Sequence, residues 1–141
     1  MEIQHLTEAY EIYKKWHGAM YETKFEENIR RIYPCLIEIA RKKTTITYEG
    51  VCKNCYVGRS HIGRLVGAVS VCELLDGNPP ISAVVVNKRS NTPGYDFLGL
   101  KGTPIELKRS DFSDNKPLHT DKEKEYWKEI LNKVYDKWKE K

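Results

Sequence analysis

Apolar positions recur every three or four residues in four stretches of the chain, the spacing that lays side chains along one face of a helix. The first starts at Thr7 and carries Tyr10, Tyr13, Trp16 and Met20. The second carries Phe25, Ile29, Ile32, Leu36 and Ala40, behind the Thr-x-x-Glu capping box of Thr23 and Glu26. Pro34 stands inside that pattern. A proline removes a backbone donor, so a kink or restart is expected there. The basic run Arg41-Lys42-Lys43 suits the negative end of the helix dipole. The third stretch, 61–75, has Ile62, Leu65, Val66 and Val69 as its buried face, Ser60 placed to cap it and Asp76-Gly77-Asn78-Pro79-Pro80 to end it. The fourth opens on a capping box of Thr120 and Glu123 and presents Trp127, Ile130, Leu131, Val134 and Trp138.

Other patterns lie between these helices. Residues 44–48 are rich in β-branched side chains and read as a short strand, 49–56 as a short helix and 57–60 as a turn. Residues 81–87 read as a strand whose Ala83-Val84-Val85-Val86 is apolar enough to be central. A loop tip at 88–94 and a returning strand at 95–100 follow, then a polar, irregular stretch at 101–119 with Pro104 and Pro117. Helices, strand, short helix, turn, longer helix and hairpin form the order of a winged helix-turn-helix. The expected fold class is therefore α+β. A single domain has N-terminal helices at 1–43, a winged-helix core at 44–100, a loop at 101–119 and a C-terminal helix at 120–141. The helix at 61–75 is its recognition helix, and the tip at 88–94 its wing.

Composition narrows the setting. At 141 residues, 40% apolar and 31% charged, the chain is long enough for one core and too apolar to be disordered. No apolar run approaches the roughly 18 residues that would span a bilayer, so no membrane is expected. Met1-Glu2-Ile3-Gln4-His5 lacks the basic and apolar regions of a secretory signal, which points to the cytoplasm, where thiols stay reduced. The net charge of +4 is concentrated. From 50 to 110, eight basic residues stand against four acidic ones, a difference equal to the whole net charge. A basic centre between balanced flanks is an electrostatic footprint for phosphate.

Candidate chemistry gathers in that centre. His61, Arg64, Gly67 and Ala68 fall opposite Ile62, Leu65 and Val69, a face narrow enough to approach a duplex groove. Arg59 and Ser60 in the preceding turn, with Lys88 and Arg89 at the wing tip, are placed to meet phosphates. The plain alternative packs Gly67 and Ala68 on the N-terminal helices and leaves ordinary solvated cations. Cys52-Lys53-Asn54-Cys55 is a lone CxxC, and Cys35, Cys72 and His61 supply no second paired spacing, so neither a metal nor another cofactor is expected. Asp96, Glu106 and Lys108 spell a short Mg²⁺-nuclease pattern without its usual surrounding core. The tryptophans and tyrosines lie mostly on apolar helix faces and read as packing.

Residues 47–95 resemble the helix-turn-helix half of the alkylguanine-DNA alkyltransferases and their alkyltransferase-like relatives. The likeness rests on Thr47-Tyr48, on Arg64-Leu65-Val66-Gly67 in place of the family's Arg-Ala-Val-Gly, on 81–86 in place of Ile-Pro-Cys-His-Arg-Val, and on Gly94-Tyr95. It implies a DNA-binding shape with Arg64 in the place of the base-intruding arginine. The segment 81–86 holds neither cysteine nor histidine, so alkyl transfer is not expected. The reading is a non-enzymatic protein that binds duplex DNA through the helix from His61 and the wing. The alternatives are a protein-interaction module that modulates a nucleic-acid machine and, third, the nuclease.

Overall fold

The computed structural model describes residues 3–17, 20–93 and 121–139. These form a mostly helical α+β structure with one small two-stranded sheet. In order they are α1 (Leu6–His17), α2 (Glu22–Arg41), β1 (Ile46–Thr47), α3 (Tyr48–Cys55), a 3₁₀ turn (Arg59–His61), α4 (Ile62–Leu75), a second 3₁₀ turn (Ile81–Val84), β2 (Val85–Val86) and α5 (Asp121–Trp138). The expected strand at 95–100, the loop at 101–119, Gly94, Thr120 and the carboxylates and lysine of the nuclease pattern lie outside the described residues, as does the side chain of Trp16.

The helical periodicities fold as their spacing requires. On α2, Phe25, Ile29, Ile32, Leu36 and Ala40 are all buried, and Phe25 packs its ring against Tyr10 and Tyr13 of α1 at 5.3 and 5.1 Å. On α5, Trp127, Ile130, Val134 and Trp138 are buried and Leu131 packs beside them. Three local expectations are corrected. Thr23 and Glu26 form no capping box: α2 begins at Glu22, behind Tyr21, without a side-chain cap. The Tyr10 hydroxyl donates to the Met20 carbonyl at 2.6 Å and so ties down the α1–α2 connection ahead of Thr23. Pro34 does not restart the helix: α2 runs unbroken through it, and it sits on the exposed face, where the carbonyl left without a donor meets water. Ser60 does not cap α4. The chain enters α4 through the 3₁₀ turn, in which the Ile62 N–H reaches the Arg59 carbonyl, so the opening donors need no hydroxyl.

The fourth correction concerns the centre of the molecule. Of the strand expected at 81–87 only Val85–Val86 is strand; Ile81–Val84 is a 3₁₀ turn. The whole apolar run is buried, with Ile81, Ala83, Val84 and Val85 at 0% exposure. It passes between α2, α4 and α5, so its backbone needs partners that a sheet does not supply. The Ser70 hydroxyl of α4 accepts from the Ser82 N–H at 2.8 Å and donates to the Ser82 hydroxyl at 2.7 Å. The Trp127 indole of α5 donates to the Ala83 carbonyl at 2.8 Å. Val85 and Val86 then pair in parallel with Ile46 and Thr47.

One turn further along α4, Glu73 is buried at 2% exposure and hydrogen-bonded to Tyr33 and Asn78, while its Oε2 has no hydrogen-bond partner among the described residues. Burial pushes its carboxyl above the ordinary carboxylate range.

These buried polar groups make stability measurable at two positions. Ser70→Ala leaves the buried Ser82 N–H without an acceptor and should cost about 1–3 kcal/mol, read by denaturant unfolding; an unchanged midpoint would show that the backbone finds another partner. For Glu73 the folded state holds the proton more tightly than the unfolded chain, so its contribution is complete at low pH and is lost as pH rises from 4.5 through the raised folded value. Glu73→Gln should therefore melt increasingly above wild type as pH is taken from 4 to 8 in a series of thermal scans. A gap that shrinks with pH would contradict this sign.

Candidate nucleic-acid interface

Parallel pairing of β1 with β2 sets the geometry of the site. The register matches Thr47 with Val86, so the next residue of each strand, Tyr48 and Asn87, emerges at the same end of the sheet. Thr47 also caps α3, its hydroxyl accepting from the Gly50 N–H at 3.0 Å. Gly50 is required at that turn, since a Cβ there would come within 2.8 Å of Ile46 Cγ1. Facing Tyr48 and Asn87 is the start of α4. Together they enclose a cleft of about 280 Å³ lined by Tyr48, Arg59, Ser60, His61, Arg64 and Asn87, among others.

Four of the six residues predicted to meet nucleic acid, Arg59, Ser60, His61 and Arg64, thus share one cleft. The other two, Lys88 and Arg89, follow Asn87 directly and are exposed, with no ion pair to any described residue. Their loop is closed. The Asn87 N–H donates to the Thr92 carbonyl at 2.8 Å, the Asn91 N–H donates to the Asn87 carbonyl at 2.9 Å, and Asn91 takes the left-handed conformation such a turn demands, at φ 58°.

The cations are not equally free. Arg59 Nη2 lies 3.3 Å from Glu49 Oε1 in an exposed pair, which solvent screening makes weak and readily exchanged. Arg64 is half-buried and close enough to Tyr13 of α1 for its charge to favour the phenolate, although burial dominates and raises that phenol overall. The first turn of α4 contains no acidic residue, so its amide dipoles add to the positive side of the cleft. One member of the expected open face is corrected: Ala68 is buried in the core because α4 packs on both α1 and α2. Gly67 does face outward, and a Cβ there would meet nothing within 4 Å.

Sequence reasoning misses two cleft residues. Tyr48 stands out only as part of a Thr-Tyr match, and Asn87 only as the end of a strand. The parallel register that unites them joins positions 39 residues apart and leaves no mark in either local pattern.

The cysteines arrange themselves differently from their spacing. The partners of the CxxC are not each other: Cys55 shares a hydrogen bond with Cys35 of α2, and Cys52 donates weakly to the Gly58 carbonyl at 3.9 Å. Donation from Cys55 favours the Cys35 thiolate and lowers its pKa to about 7, while the same bond and burial push Cys55 up. Cys72 is buried and raised to about 12. Among the described residues, no three His, Cys, Asp or Glu side chains are gathered as a metal would require, and no helix is long and apolar enough to cross a membrane. No protein family, curated protein or solved structure matches the chain.

Cys35 should be the first thiol alkylated by iodoacetamide at pH 7, because it alone carries an appreciable thiolate fraction. Peptide mass mapping over time should show Cys35 modified first and Cys72 last. Cys55→Ala should slow Cys35 by removing the donor. Equal rates at all four thiols would contradict the pairing.

Proposed function

We propose that this protein binds duplex DNA without catalysing a reaction, through a winged helix-turn-helix formed by α3, the turn at 57–61, α4 and the loop from Asn87. One observation carries the reading: Arg59, Ser60, His61 and Arg64 line a single cleft, and the exposed Lys88 and Arg89 stand on the loop that begins at its edge. Arg64 lies in the first turn of α4, where a recognition helix meets base edges. Arg59, Lys88 and Arg89 lie to either side, where backbone phosphates run. The likeness of 47–95 to the alkylguanine-DNA alkyltransferases supports the same placement. The absence of a cysteine in 81–86 separates the proposed role from theirs. Four free thiols suit a reducing compartment such as the cytoplasm.

Base and phosphate contacts respond differently to substitution, and that difference tests the reading. Arg64→Ala should cost roughly 1–3 kcal/mol on a preferred site and little on unrelated duplexes. Combined Lys88→Ala and Arg89→Ala should weaken binding to every duplex and flatten the salt dependence by about 0.9 for each phosphate no longer neutralised. Binding isotherms over a salt series measure both, with melting temperatures as the control for folding. If the wild-type chain binds duplex no better than a generic basic protein at moderate salt, the DNA reading fails and the protein-interaction module takes its place.

A further inference from the structure

The Arg59–His61 turn has a second side. There α2 and the α3–α4 connection enclose another cleft, of about 230 Å³. Its lining includes Asn28, which projects from the otherwise apolar buried face of α2 at 9% exposure. No hydrogen bond ties the Asn28 amide to a described residue, and its polar atoms are open to the cleft and not sealed in the core. An amide held at the floor of a cleft keeps its donor and acceptor available to whatever enters, which a leucine at the same place would not.

The mouth of the cleft carries a costly feature. Tyr56 closes α3 in the left-handed conformation at φ 57°, a position where glycine is the favoured residue. Its ring is 86% exposed. Arg31 donates to the Tyr56 carbonyl at 3.4 Å and is itself held by Glu27 Oε1 at 2.9 Å, so that carboxylate's charge is already met. Lys24 stands exposed on the same rim with no ion pair to a described residue. A cleft-facing amide on an otherwise apolar helix face and a strained, solvent-facing aromatic thus converge on one cavity. Strain concentrates where a ligand is bound.

We propose that this cleft binds a single unpaired adenine base, stacked on the Tyr56 ring and read by the Asn28 amide. An asparagine side chain presents a donor beside an acceptor, the pair that matches the N6 and N7 edge of adenine. An exposed tyrosine is a stacking platform for one base. Buried Val57 and Leu65 supply apolar walls, which suit a planar heterocycle and not a bare phosphate. The volume lies below the roughly 300–1,000 Å³ of sites for drug-sized ligands, which fits one nucleotide unit. Lys24 at the rim is placed for its phosphate. The base comes either from a free adenine mononucleotide or from a strand with an unpaired adenine. In the second case the site deepens the nucleic-acid reading by adding single-stranded or extruded adenine to the duplex contacts on the other side of the turn.

Backbone-amide NMR titrations of the full chain with AMP, CMP and inorganic phosphate test the proposal, alongside fluorescence binding of short adenine-only and cytosine-only oligodeoxynucleotides. Saturable AMP shifts centred on Asn28, Arg31, Tyr56 and Ser60, exceeding those with CMP, are the expected result for a free nucleotide. Preference for the adenine oligonucleotide is the expected result for a strand. Tyr56→Gly should weaken the adenine ligand roughly tenfold or more while leaving or raising the melting temperature, since glycine accepts the left-handed backbone. Asn28→Leu should erase the preference for adenine over cytosine; if it fails to fold, Tyr56→Gly decides. The proposal is overturned if neither adenine probe shifts these amides, if phosphate alone reproduces the shifts, if CMP binds equally, or if Tyr56→Gly binds adenine like wild type. Asn28→Leu should leave the duplex salt slope unchanged, and Arg64→Ala should leave AMP binding unchanged, so this site and the duplex surface can fail separately.

Discussion

The architecture depends on hiding one short apolar segment whose backbone cannot be satisfied by its own secondary structure. Residues 81–86 are buried throughout, yet only the last two are strand. The polar groups of the remainder are met by side chains from two helices: the Ser70 hydroxyl from α4 and the Trp127 indole from α5. An unpaired buried amide or carbonyl costs about as much as several buried methylenes contribute, so these contacts fix where both helices stand. With α4 held by Ser70 and β1 by Val85 and Val86, the ends of β1 and β2 and the first turn of α4 have little freedom left. The cleft they enclose is a consequence of that constraint.

Two cavities then share one wall. The 3₁₀ turn at Arg59–His61 contributes Ser60 and His61 to both the cleft of Tyr48 and Arg64 and the cleft of Asn28 and Tyr56. The two differ in character. The first is polar and cationic and opens beside the loop of Lys88 and Arg89; the second is smaller, has apolar walls and is lined by the Asn28 amide. The position of the turn therefore enters the shape of both.

Much of this arrangement is legible in the sequence where one physical effect dominates locally. The apolar periodicity of α2 and α5 names most of their buried faces, because burial of a helix stripe outweighs everything else along it, whereas α4 is enclosed on more sides than its stripe and also buries Ala68, Ser70 and Glu73. The cluster Arg59, Ser60, His61 and Arg64 is legible for a related reason, since a turn and the helix turn that follows it lie together in space. Legibility fails where distant parts of the chain decide. Residues 81–84 look like a strand because apolar β-branched runs suit sheets, but here helices surround them and a 3₁₀ turn satisfies them better. Asn28 leaves no mark in the local pattern of α2; only the fold places it at a cleft. Cys52 and Cys55 look like partners by spacing, whereas α2 brings Cys35 to Cys55 instead. The strand expected at 95–100 lies outside the described residues, and the sheet among the described ones is the parallel pair of β1 and β2.

The bond from Trp127 to Ala83 spans 44 positions of the chain, and the Tyr135 hydroxyl reaches the Thr44 carbonyl across 91. During synthesis the polypeptide emerges from its N-terminus, so α1 to β2 are available well before α5. Until α5 arrives, the Ala83 carbonyl has no indole donor and the side of 81–86 that α5 covers is bare. A nascent chain halted before position 127 therefore presents an apolar, hydrogen-bond-hungry strip to its surroundings. α5, made after β2, is the helix that closes this side of the centre.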